Sequence, residues 1–141
     1  MFAFLFPYNL YPKVRWDLPD REVHHELLYR CQTLLSRFGY TKPDCTFMPY
    51  WENDGAISGA DPAKVFCSWF KRPQETLIIL GNASVSPQKM DLKIDLKKLG
   101  LSADTAAFDA ETGKQITFPF ILKDNDFRMI YLGKRIQEIS K

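Results

Sequence analysis

Histidine and glycine are scarce here, with two histidines and seven glycines in 141 residues. The histidines, His24 and His25, are chain neighbours and cannot both face one metal from a helix, so no zinc ligand set can be assembled from them. No glycine-rich phosphate loop is present, nor a Ser-His-Asp or Cys-His arrangement, and no cofactor or metal is expected. Excess charge of one sign is missing too. The formal net charge is +2, and the dense basic pairs are confined to Lys71-Arg72, Lys97-Lys98 and Lys134-Arg135. That is a solvated surface rather than a phosphate track, so nucleic acid is not an expected partner. The three cysteines, Cys31, Cys45 and Cys67, have no C-x-x-C spacing, and their odd number leaves at least one free thiol. Reduced, core-filling cysteines are the expectation, with a Cys31–Cys45 or Cys45–Cys67 bridge as the less favoured alternative. Long apolar runs are absent. The opening "MFAFLFPYNLYP" is short, has no basic start and breaks at Pro7, so neither a signal peptide nor a membrane span is read there, and localisation stays open. A chain that begins on aromatic residues is expected to be a piece of a longer one.

What is present is apolar surface: 45% of the residues are hydrophobic and 14% aromatic, enough for the core of one domain without covalent staples. Asp17 as N-cap, Pro19 in the first turn and acidic Asp20 and Glu22 start a helix. Val23, Leu27, Leu28, Cys31, Leu34, Leu35 and Phe38 continue it at helical spacing, and Gly39 ends it. The spacing predicts a helix over 18–38. Beyond it the period becomes two. Strands are expected in "CTFMPYW", interrupted by Pro49, and in "KVFCSWFKR", "TLIILGN", "KMDLKIDL", "TAAFD", "QITFPFIL" and "FRMIYL", separated by turns such as "RPQE", "VSPQ", "AETGK" and "KDND". "KVFCSWFKR" is bulky on both faces, as in a strand covered on two sides. In "KMDLKIDL", Met90, Leu92, Ile94 and Leu96 are expected inward and Asp91, Lys93 and Asp95 outward. The last residues, from Lys134 to Lys141, are polar enough to fray. The chain therefore reads as mainly β: an immunoglobulin-like, Greek-key antiparallel β-sandwich over 44–141, with an N-terminal helical segment over 1–43.

The stretch "PYWEND" is the densest candidate site. Tyr50, Trp51, Glu52 and Asp54 are residue types that contact carbohydrate, through ring stacking and carboxylate hydrogen bonds. Glycoside hydrolysis needs two carboxylates roughly 5–10 Å apart across a bond. Glu52 and Asp54 have period-two spacing, but the preferred reading is that both solvate a loop at a strand end. Tyr50 and Trp51 either stack a sugar or pack between helix and sandwich, and packing is preferred. Trp69 is expected in the core. "FDAETGKQI" gathers Asp109, Glu111 and Gly113, and is read as a hairpin turn. Asn82-Ala83-Ser84 matches a glycosylation sequon, taken as accidental. "KDND" lacks the ligand spacing of a calcium loop.

The ordered series "PYWENDGAI", "VFCSWFKRPQETLIILGNAS", "MDLKIDLKKLGL", "AFDAETGKQI" and "DFRMIYL" resembles the C-terminal β-sandwich of bacterial glycoside hydrolase-like proteins, of the family-123-like type. The resemblance runs from about Phe47 to Leu132 and is carried by the order of the segments more than by any one of them. It implies a sandwich that follows a (β/α)₈ catalytic barrel, with the N-terminal helix as the last part of that barrel. Catalytic carboxylates in such enzymes lie on barrel strands, so the resemblance assigns no catalytic residue to this chain. The function it implies is a non-catalytic accessory domain whose partner is the catalytic barrel of the same parent chain, a glycoside hydrolase. A free-standing carbohydrate-binding module using Tyr50, Trp51 or Trp16 is the rival reading, and a small hydrolase using Glu52 and Asp54 is the third.

Overall fold

In a computed structural model the chain is described over residues 21–52 and 54–140, with the side chains of 21–25, 27 and 28 left aside. The expected cap at Asp17, the first turn around Pro19 and the Trp16 platform lie outside the described residues. The helix itself, α1, is described over Arg21–Phe38. It ends where Gly39 takes a φ of 88°. The Gly39 N–H donates to Ser36 O at 3.0 Å and the Tyr40 N–H to Leu35 O at 3.1 Å, the paired closure of a Schellman turn.

Nine strands follow: β1 (Thr46–Met48), β2 (Ile57–Ser58), β3 (Val65–Arg72), β4 (Glu75–Asn82), β5 (Gln88–Met90), β6 (Lys93–Ile94), β7 (Ala107–Asp109), β8 (Phe120–Leu122) and β9 (Phe127–Leu132). A short helix, α2, closes the described chain at Ile136–Ile139. Five strands form one antiparallel sheet in the order β1-β3-β4-β9-β7, and two short antiparallel ladders, β2-β6 and β5-β8, form the opposing layer. The fold is thus the mainly β sandwich the alternation implied.

Strand β4 is central, and all eight of its residues are buried. Its register with β3 and β9 builds rows such as Trp69–Ile78–Ile130 and Phe70–Leu77–Tyr131. Successive rows point to opposite faces. Cys67, Trp69, Ile78, Leu80, Ile130 and Leu132 pack under the two short ladders. Phe70, Leu77, Ile79, Met129 and Tyr131 pack under α1 and α2. Strand β3 is bulky on both faces because the sheet is covered on both.

Three expectations are corrected. "KMDLKIDL" is not one strand: it breaks into β5, which pairs with β8, and β6, which pairs with β2, although its inward and outward alternation holds. The C-terminus does not fray over its described length, because Ile136 and Ile139 bury themselves against the helix-side core. Finally, Pro49 ends β1 at Met48 instead of only interrupting it. Pro49 cannot donate to a ladder, and the chain turns into a single 3₁₀ turn at Tyr50–Glu52.

Candidate functional site

The sequence-suggested residues do not converge. Tyr50 N–H donates to the Ser68 hydroxyl at 2.9 Å, and its ring lies 4.5 Å from Phe66, so the residue is tied to β3. Trp51 meets Tyr50 edge-on at 5.1 Å and remains 53% exposed. Its expected packing between helix and sandwich is therefore wrong: the 3₁₀ turn carries the indole outward instead of into either core. Glu52 and Asp54 are exposed, and Asp54 Oδ1 accepts from the Ala56 N–H at 2.9 Å, closing its own loop. Tyr50 lines a depression of about 310 Å³ with Ile57, Val65 and Cys67. Asp54 lines a different one of about 390 Å³ with Trp69, Lys71 and Lys98.

The acidic hairpin resolves as a turn. Asp109 Oδ1 accepts from the N–H groups of Glu111 and Thr112 at 3.1 and 2.9 Å, and Gly113 has a φ of 68°. Asn82, the sequon asparagine, is fully buried. Its Nδ2 donates to the carbonyls of Ser86, Leu122 and Lys123 at 3.0, 3.2 and 2.9 Å, so the nitrogen that would carry a glycan is spent in the fold. All three cysteines are free. Burial pushes the Cys31 and Cys67 thiols up to about 12, which keeps them protonated and unreactive.

Sequence reading missed the strongest polar cluster. Among the described residues Glu75 is the one buried carboxylate, at the start of β4 behind the "RPQE" turn, where Gln74 has a φ of 64°. Arg72 Nη1 donates to Oε1 at 2.9 Å, Arg135 Nη2 donates to the same oxygen at 2.7 Å, and the Tyr131 hydroxyl donates to Oε2 at 2.9 Å. Burial, with Glu75 as acceptor, pushes the Tyr131 phenol up to about 12, so it remains a donor. Arg72 also donates to Phe38 O at 2.8 Å and to both Asp44 oxygens at 3.2 and 3.1 Å. The hydrogen bond from Arg72 holds the Asp44 carboxyl below its usual range. The cluster ties α1, the β3–β4 turn, β9 and the α2 entry together beside a groove of about 720 Å³. A carboxylate that does acid–base or nucleophilic work needs an open lone pair or a proton facing substrate. Both oxygens of Glu75 are instead held by cations and a phenol. The only sequence signal for the cluster was an arginine and a glutamate three apart across a tight turn.

Among the described residues no three His, Cys, Asp or Glu side chains group as a metal site, and no helix is long and apolar enough to cross a membrane. Residues 33–126 match the family model described as glycoside hydrolase 123, C-terminal domain. No curated protein matches the chain.

Proposed function

Because the chain belongs to the glycoside hydrolase 123 C-terminal domain family, we propose that it is a non-catalytic accessory β-sandwich that packs against the catalytic barrel of the same parent chain. The observation that carries this reading is the state of Glu75: the buried carboxylate is engaged by Arg72, Arg135 and Tyr131 and serves the fold. Helix α1 supports it. Its second half is anchored in the sandwich through Cys31, Leu34, Leu35 and Phe38, so this part of α1 offers a firm mount for a neighbouring catalytic domain.

The test joins the chain to a family-123 catalytic domain. The reading expects one cooperative melting transition, higher than that of the catalytic domain alone, and no turnover of nitrophenyl glycosides by the 141-residue chain. Two independent transitions, or turnover that disappears in Glu52→Gln, would overturn it. The carbohydrate-binding module remains the second reading, favoured by the exposure of Trp51 beside Tyr50. Saturable quenching of tryptophan fluorescence by a glycan, lost in Trp51→Ala, is its signature.

A further inference from the structure

A groove away from "PYWEND" and from the Glu75 cluster runs between α1, the turn after β7 and α2, with a volume of about 350 Å³. Tyr29, Thr33 and Arg37 line it from the helix, and Glu111, Thr112 and Ser140 from the other side. The three helical residues are spaced four apart, so they form one stripe about 12 Å long. Tyr29 is 71% exposed, unusual for a large aromatic side chain. Arg30 Nη2 donates to Glu111 Oε1 at 2.7 Å, which pins the turn to the helix and neutralises the acid. Arg37 is different. Its Nη1 reaches only Ile139 O, at a long 3.4 Å, and it joins no ion pair among the described residues. Among the described residues the groove thus offers an aromatic platform, hydroxyl groups and one cation without an anion.

We propose that this groove binds an acidic sugar unit, with the Tyr29 ring under the apolar face of the pyranose and the Arg37 guanidinium on its carboxylate or sulfate. A guanidinium fork can bond two oxygens of either anion at once. An aromatic face suits the C–H side of a sugar ring, and hydroxyls suit its edge. An acidic peptide would satisfy Arg37 but would leave the platform and the hydroxyls without a matching surface. The inference rests on the groove and not on how the chain meets a catalytic domain.

The test is an amide-shift titration of the labelled 141-residue chain with a uronate disaccharide, a sulfated disaccharide, the neutral counterpart and a short glutamate peptide. One or both acidic sugars should shift the amides of 29–37 and 111–113, and the two arms tell carboxylate from sulfate. The neutral sugar should bind about tenfold more weakly or worse, the worth of one charged hydrogen bond. Arg37→Gln should erase that preference, and Tyr29→Ala should weaken all the sugars, with both variants melting like the parent. Silence with both acidic sugars, equal binding of the neutral one or of the peptide, or a preference that survives Arg37→Gln overturns the proposal. None of these results alters the melting of the joined domains, so the two readings fail separately.

Discussion

Arg135 and Glu75, 60 positions apart in the chain, are joined by a forked ion pair: Nη2 donates to Oε1 at 2.7 Å and Nε to Oε2 at 3.1 Å. The fork fixes where the chain leaves β9, and so how α2 lies on the helix-side core. Glu75 is almost buried, whereas the Arg135 side chain is 37% exposed. That asymmetry sets the prediction. Glu75→Ala leaves the Tyr131 phenol without its acceptor and the two arginines with only their outer ion-pair partners, Asp44 and Glu138, and should destabilise by about 2–3 kcal/mol. Arg135→Ala leaves Glu75 with Arg72 and Tyr131, and water reaches the vacated space, so its cost should be about 1 kcal/mol. Urea denaturation of both variants checks the order, and equal losses would show that the carboxylate is not the centre of the cluster.

The tryptophans should separate in the same way. Trp69 is 2% exposed, in the row Trp69–Ile78–Ile130, and its replacement by Ala should cost about 3–5 kcal/mol. Trp51 is 53% exposed, and Trp51→Ala should cost about 1 kcal/mol. Thermal melts of the two variants decide it. A large loss at Trp51 would restore the packing role that the 3₁₀ turn takes away.

Strands β3 and β4 were legible because both signals for them are local: bulk on both faces in "KVFCSWFKR" and a continuous apolar run in "TLIILGN". Alternation also told correctly which way Met90, Leu92, Ile94 and Leu96 point. It did not tell their partners. Met90 pairs with Phe120 and Ile94 with Ile57, and pairing across such distances leaves no mark in the alternating pattern. Helix α2 had a signal, Ile136 and Ile139 three apart, hidden by the polar residues around it. The Glu75 cluster was hidden differently. Its members lie in a turn, a strand and a chain end, and only folding brings them within reach of one another.

Alkaline pH should weaken the fold in a defined window. Burial pushes the thiols of Cys31 and Cys67 and the phenol of Tyr131 up to about 12. In the unfolded chain thiols titrate near 8.5 and tyrosine near 10. Between those values and about 12 the unfolded chain has released protons that the folded chain still holds, so stability is complete below about pH 8.5 and is lost as pH rises towards 12. The urea midpoint should therefore fall between pH 8 and 11, and less steeply in a variant with Cys31→Ala and Cys67→Ala. A flat midpoint, or an unchanged slope in that variant, would show that the thiols are open to solvent. In the native protein at pH 8, a thiol reagent should label Cys45, which is only half-buried, ahead of the other two.

Asn82 offers the sharpest chemical test of the loop that joins the two layers. Its Nδ2 feeds three carbonyls, while Oδ1 accepts from the Ser84 N–H at 3.0 Å and the Ser84 hydroxyl at 2.7 Å. Both ends of the amide are needed, and each alternative residue fails for its own reason. Asn82→Ala abandons buried carbonyls and should cost about 2–3 kcal/mol. Asn82→Asp keeps the size and the acceptor but sets a carboxylate against the three carbonyls, so it should be the worse of the two at pH 7. Lowering the pH towards 4 protonates the aspartate and restores one donor, which should narrow the gap. Denaturation of both variants at the two pH values measures it. If Asn82→Asp is as stable as the parent at pH 7, the three donated hydrogen bonds do not hold the loop.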